Sequence, residues 1–279
     1  MLTLLLLFVL VLVVLIGLAT SLNYIPNDRV GVVEKLWSFK GSLDEGVIAL
    51  KGEAGYQPDL LRGGWHILVP FQYRIHRMPL VTIPQGHIGY LFARDGRPLP
   101  PEQALANNEQ ANDFQDVRTF LDHGGQRGPQ RKILREGTYA INLVQFVVLA
   151  SERPYFLALE PGERVTFQHM AQMIAERGGF EPVVIKGTDD VMGIVTVHDG
   201  PSLPSGQIIA PTVGDDATQA DTYHNNFQDP ERFLHAGGRR GRQLQSLVEG
   251  TYYINRVFAT VEMIPKTVVE VGTSGVVVS

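Results

Sequence analysis

The sequence predicts an α+β protein, mostly β, in which an N-terminal transmembrane helix precedes tandem small β-rich repeat units with short helices. Three observations lead there. The first 22 residues, "MLTLLLLFVLVLVVLIGLATSL", carry no charged side chain. Residues 124–142, "GGQRGPQRKILREGTYAIN", and 237–255, "GGRRGRQLQSLVEGTYYIN", agree at twelve of nineteen positions without a gap. Short β-branched and aromatic runs, each interrupted by one glycine, recur along the chain, and that composition belongs to half-buried strands.

Composition narrows the function classes. The chain of 279 residues can build two small domains or one large one. A formal net charge of -5 argues against nucleic-acid binding, which calls for a strongly basic face. With no cysteine, disulfides, thiolate metal sites and a cysteine nucleophile are excluded.

The N-terminal run is read as a membrane anchor over residues 1–22. As a helix rising about 1.5 Å per residue it spans roughly 33 Å, and a bilayer core is about 30 Å thick. The residues assigned to lipid contact are Leu4, Leu5, Leu6, Leu7, Phe8, Val9, Leu10, Val11, Leu12, Val13, Val14, Leu15, Ile16 and Leu18. The implied partner is a lipid bilayer and the implied localisation a single-pass membrane protein. The competing reading is a cleaved secretory signal with Ala19-Thr20-Ser21 at the cleavage site; against it, the run exceeds the usual apolar region and no Lys or Arg precedes it. Arg29, Lys35 and Lys40 alternate with Asp28 and Glu34, so the flank sets no orientation.

Three copies of a β unit follow. They open at "DRVGVVEKLW" (28–37), "GHIGYLFARDG" (86–96) and "DVMGIVTVHDG" (190–200). Gly55, Gln57, Leu61 and Gly64 recur as Gly128, Gln130, Leu134 and Gly137, then as Gly241, Gln243, Leu247 and Gly250. Gly64, Gly137 and Gly250 are assigned to the turn that sends each chain into a further strand, "TYAINLVQFVVL" or "TYYINRVFATVEM" in the later copies. Asp229-Pro230-Glu231 reads as an N-cap with proline at the first helical position, starting a short helix that ends at Gly237. Between the second and third copies, "TFQHMAQMIAER" places Phe167, Met170, Ala171 and Ile174 on one helical face, capped by Thr166 and Gly178. That face packs on a β unit or, in a competing reading, on a membrane surface or partner. The expected boundaries are 23–85, 86–160 and 187–268 for the β units, 161–186 for the helical connector and 269–279 for the start of a fourth unit. The stop inside that fourth opening points to a fragment of a longer chain.

Motifs for chemistry are missing. Neither a metalloprotease, a serine-hydrolase, a dinucleotide nor a calcium-loop pattern occurs, and "GGQRGPQRK" lacks the Lys-Ser/Thr pair and following helix of a phosphate loop. The eight histidines are scattered, with His66 and His76 the nearest pair on one strand-like stretch. Asp189-Asp190 and Asp215-Asp216 are adjacent carboxylates that point apart on an extended chain, suited to loops or turn capping. Arg127, Arg131, Arg135, Arg239, Arg240 and Arg242 read as a solvated face, with anionic headgroup contact as the alternative. No catalytic residue, metal site, cofactor or small-molecule substrate is expected. A hydrolase site assembled from non-local Asp and His is the remaining enzymatic reading.

The order of anchor, Ile25-Pro26, Gly31-Val32-Val33, Gly63-Gly64-Trp65-His66-Ile67 and Pro70-Phe71 resembles the start of the SPFH (band 7) family of stomatins, prohibitins and flotillins. "IPQGHIGYL" at 83–91 repeats the signature. The likeness is to the N-terminal portion of flotillin-like bacterial membrane proteins. It implies a non-enzymatic, membrane-anchored scaffold that assembles laterally, as a homo-oligomer or with membrane protein partners, and organises membrane microdomains. The long coiled coil usual in these relatives has no counterpart here, since no heptad pattern occurs. The alternative from a different class is an exported soluble β-repeat binding module with a cleaved signal peptide.

Overall fold

Glycines at fixed intervals let an extended chain reverse within a few residues, and each copy uses them to build the same small sheet. The computed structural model describes residues 2–107 and 112–276 and, within its first helix, the side chains of residues 5–12 and 15–21. Copy 1 follows α1 (Leu2–Ser21) and contains β1 (Leu22–Ile25), β2 (Arg29–Lys35), β3 (Gly55–Leu61), β4 (Gly64–Ile67) and β5 (Tyr73–Pro79). Copy 2 contains β6 (Val81–Ile83), β7 (Tyr90–Ala93), α2 (Val117–Asp122), β8 (Gly128–Pro129), β9 (Gly137–Tyr139), β10 (Phe146–Leu149) and β11 (Pro154–Tyr155), followed by α3 (Glu163–Glu176). Copy 3 contains β12 (Val183–Ile185), β13 (Val191–Val197), β14 (Ile209–Ala210), α4 (Pro230–His235), β15 (Gly241–Leu247), β16 (Gly250–Tyr252) and β17 (Ala259–Pro265).

The topology is the same three times. The strand that carries the interrupting glycine, or in copy 2 directly follows it, is central, between antiparallel partners: β3-β2-β5, β8-β7-β10 and β15-β13-β17. The register agrees residue for residue, with Gly31 opposite Leu61, Gly89 opposite Leu134 and Gly193 opposite Leu247. At the far end Lys35, Ala93 and Val197 face Gly55, Gly128 and Gly241. A second antiparallel pair closes each copy, placing Ile25 opposite Gly64, Ile83 opposite Gly137 and Ile185 opposite Gly250. The central glycine exists because that isoleucine lies over it: a Cβ on Gly31 would sit 2.5 Å from Ile25 Cδ1, and one on Gly89 2.6 Å from Ile83 Cδ1.

The chain divides into two compact units, residues 1–100 with 105–180, and residues 101–104 with 181–279. In the first, copies 1 and 2 share one core, where Val32 and Ile48 join Ile83, Phe114, Phe120 and Phe146. Phe120 and Phe146 meet edge to face at 5.1 Å between ring centroids, and Phe114 and Phe146 at 5.2 Å. In the second, Phe233 packs edge to face on Phe258 at 5.8 Å and against Phe227 at 5.5 Å.

Three expectations are corrected. Among the described residues no helix is long and apolar enough to cross a membrane, so the transmembrane anchor and the single-pass localisation fall. Helix α1 ends at Ser21 and Leu22 enters β1 opposite Ile67, so the 22-residue apolar run is not one helix. Each long strand read from "TYAINLVQFVVL" and "TYYINRVFATVEM" is two strands. The Asn142 side-chain Oδ1 accepts the Val144 amide at 3.1 Å and that of Asn255 the Val257 amide at 2.9 Å, turning the chain between them. Helix α3 begins at Glu163 after Gly162, before the expected Thr166 cap, because the Glu163 carboxylate receives the Leu159 amide at 2.7 Å. Of the expected start of a fourth unit, residues 269–276 are described and turn at Val271-Gly272, while Val277, Val278 and Ser279 lie outside the described residues.

Candidate interaction interface

The recurring polar residues hold the chain's own backbone. The Gln57 amide donates to the carbonyls of Glu53 and Gly55, that of Gln130 to Gln126 and Gly128, and that of Gln243 to Arg239 and Gly241. Each therefore bridges the residues four and two before it, across a glycine with φ between 106° and 140°. A second device follows. Gly64, Gly137 and Gly250 take φ of 129°, 150° and 157°, and the residue two further on reaches back to the carbonyl four before it. Tyr139 donates to Arg135 at 3.0 Å and Tyr252 to Val248 at 3.0 Å, while His66 takes that place in copy 1, 2.6 Å from the Arg62 carbonyl. The Gln115 side-chain Oε1 accepts the Ala140 amide, and that of Gln228 accepts the Tyr253 amide, tying the short-helix segment to the strand beyond.

A different set joins copy 1 to copy 2. Asp95, in the Asp-Gly turn ending β7, accepts the Val47 and Ile48 amides of copy 1 at 2.9 and 3.2 Å. Asn142 donates to the Gln57 and Pro58 carbonyls at 3.1 and 3.2 Å, and Arg118 to the Leu50 carbonyl and the Asp59 carboxylate at 3.1 and 2.8 Å. In the second unit Asp199, 1 % exposed, accepts the Ala104 amide at 3.0 Å. Asp199-Gly200 stands in copy 3 where Asp95-Gly96 stands in copy 2.

Two buried titratable groups escaped sequence reading. Arg94, with an 8 % exposed side chain, meets Glu163 at 3.0 Å and donates to the Val144 and Leu157 carbonyls at 3.1 and 2.9 Å, fixing the start of α3. Burial pushes its guanidinium below the ordinary value, and the Glu163 carboxylate opposes that. His224 is fully buried between Phe227 and Phe233. Its Nδ1 accepts the Phe227 amide at 2.8 Å, so Nε2 carries the proton donated to the Val213 carbonyl at 2.7 Å. Burial pushes its pKa down. No spacing signal distinguishes His224 from its seven scattered counterparts.

The sequence-derived candidates disperse. His66 and His76 lie on β4 and β5, and His76 pairs with Glu34 at 2.8 Å. Among the described residues no group of three or more His, Cys, Asp or Glu could hold a metal ion. Asp216 caps a turn, accepting the Thr218 amide and hydroxyl at 2.9 and 2.7 Å, and these bonds lower its pKa. Of the six arginines read as a solvated face, Arg131 is buried, Arg239 and Arg240 bond Ser202, and Arg242 meets Glu262 at 3.4 Å. The anchor residues Leu5 to Leu12, Leu15, Ile16 and Leu18 are exposed along α1, and the side chains of Leu4, Val13 and Val14 lie outside the described residues. An open groove of about 380 Å³ is lined by Phe92, Ala93, Arg94, Pro98, Leu99, Arg127 and Gly128, and Arg94 there is already engaged by Glu163.

No family model, no curated protein and no solved structure matches the chain. The SPFH likeness therefore rests on the quoted motifs alone.

Proposed function

We propose that the chain is a non-enzymatic scaffold, of the kind the SPFH likeness implies, built from stacking β units that associate with further copies or protein partners. The observation that carries this reading is the use of the recurring polar residues. Gln57, Gln130 and Gln243 bond main-chain carbonyls of their own copy, and Asp95 bonds amides of the neighbouring copy. Acid–base catalysis needs such groups converging on a substrate. Here the glutamine amides hold the turns of their own copy and the Asp95 carboxylate joins two copies. Sedimentation of the full chain across a hundredfold concentration range tests it: association that rises with concentration supports the scaffold, and a monomer throughout counts against it.

A second reading, an exported β-repeat binding module, is favoured by one observation. Helix α1 ends at Ser21 and the paired strand begins at Leu22, so removal of the helix would leave the Asn23–Ile25 pairing with β4 in place. N-terminal sequencing of the mature protein decides it: a start near Asn23 supports export, and an intact Met1 or Leu2 removes it.

A further inference from the structure

Copy 3 leaves bare the surface that copy 2 covers on copy 1. Ile48 bridges Tyr56 in parallel, and Ile209 pairs with Arg242 in the same way, one residue after the equivalent glycines Gly55 and Gly241. Ile208 and Ile209 thus stand where Val47 and Ile48 stand, and Leu244 where Pro58 stands. On copy 1 these positions are covered: Ile48 is 4 % exposed, Pro58 is buried, the Val47 and Ile48 amides are held by Asp95, and the Pro58 carbonyl by Asn142. On copy 3, Ile208 is 84 %, Ile209 44 % and Leu244 65 % exposed. Among the described residues no carboxylate accepts from the Ile208 or Ile209 amide. Three large aliphatic side chains this exposed on one face are out of place on a finished surface.

The residues after copy 3 identify what fits. Thr273 donates its amide to the Glu270 carbonyl at 3.0 Å, as Arg29 does to Pro26, His87 to Pro84 and Asp189 to Lys186, each at 3.1 Å. A Cβ on Gly275 would meet Val269 Cγ2 at 3.1 Å, the same six-residue relation that sets Ile25 over Gly31 and Ile83 over Gly89. The turn and the glycine contact that open each copy are therefore formed a fourth time. We propose that the face built by Ile208, Ile209 and Leu244 is the docking surface for a fourth β unit, grown from the opening that residues 267–276 already form. That unit brings an Asp-Gly turn whose carboxylate takes the Ile208 and Ile209 amides, and an asparagine whose amide takes the Gln243 and Leu244 carbonyls. The inference rests on the stacking half of the scaffold reading and is independent of association between chains.

The test extends the full chain directly after Ser279 with residues 94–149, which keeps the register because Gly275 corresponds to Gly89. Amide hydrogen exchange is read at Ile208 and Ile209. The expected result is exchange slower by about tenfold or more, the factor a charge-assisted hydrogen bond contributes. The same extension carrying Asp95→Ala in its added segment restores the fast rate. A second extension, residues 198–262, guards against an added segment that does not fold. Unchanged exchange in both extensions overturns the proposal. So does protection already present in the unextended chain at high concentration, which would make a second copy the occupant. A chain that stays monomeric in sedimentation but protects these amides when extended removes the lateral scaffold and leaves this inference standing.

Discussion

Replacing Glu163 by alanine isolates the most demanding electrostatic contact in the first unit. The Arg94 side chain is 8 % and that of Glu163 20 % exposed, and they meet at 3.0 Å. The remaining guanidinium bonds go to the Val144 and Leu157 carbonyls, which carry partial charge only. The variant would leave a cation out of water without its paired carboxylate, a situation that costs about 3–5 kcal/mol, with the more distant Glu160 carboxylate a partial offset. The partial exposure of Glu163 admits some water and sets the expectation at the low end, about 3 kcal/mol. Loss of the acceptor for the Leu159 amide acts in the same direction. Glu163→Gln keeps an acceptor and loses only the charge, so it should cost about 1–2 kcal/mol. Urea denaturation followed by tryptophan fluorescence reads this unit alone, because Trp37 and Trp65 are the chain's two tryptophans and both lie in it. The double variant Arg94→Met/Glu163→Leu should recover most of the loss, since a buried apolar pair of similar volume needs no desolvation. A loss below about 1 kcal/mol in Glu163→Ala, or a double variant no better than the single one, would refute the argument that burial makes this pair indispensable.

Further outcomes follow from other contacts. His224 has a folded-state pKa depressed by burial, so its contribution is complete above the unfolded value of about 6.5 and falls as pH drops from there toward the folded value. The protection factor of the Phe227 amide, which bonds His224 Nδ1, should therefore fall as pH drops below about 6.5, and a His224→Gln chain should lack that component. Gly89→Ala forces a Cβ to 2.6 Å from Ile83 Cδ1 and should cost about 1–3 kcal/mol by thermal unfolding, with partial recovery on adding Ile83→Val. Gly64→Ala meets nothing within 4 Å but must hold φ at 129°, so a loss of about 1–2 kcal/mol there would be conformational strain alone. Gln243→Ala, at a 4 % exposed site, removes the donor for two carbonyls and should cost about 1–3 kcal/mol, with amide exchange quickening around Gly241.

Glycines that need positive φ, and the glutamines that clasp them, were legible because a single backbone geometry dictates the residue type and its spacing. The repeated strands were legible for the same reason, and Asp229-Pro230 marked the start of α4. The anchor was misread because an apolar count does not register where a helix gives way to a paired strand, here between Ser21 and Leu22. The long strands were misread because Asn142 and Asn255 turn the chain with a side chain inside an otherwise β-forming run. Arg94, Glu163 and His224 were invisible for a deeper reason: each matters through burial, and Arg94 and Glu163 also through a partner 69 residues away.

The contrast between copies carries the argument one step further. Positions that agree in all three copies, Gln57, Gln130 and Gln243 among them, satisfy a requirement internal to one unit, so each copy must meet it alone. Positions that differ at one structural site, Pro58 against Leu244 or Val47 against Ile208, are those whose surroundings lie outside their own copy. Copy 2 settles those surroundings for copy 1 through Asp95 and Asn142. The aliphatic character retained at Ile208, Ile209 and Leu244, beside amides without a carboxylate, is what an interface residue looks like before its neighbour arrives. Identity between repeats therefore reads out the fold of a unit, and divergence at matched, exposed, apolar positions reads out how units join.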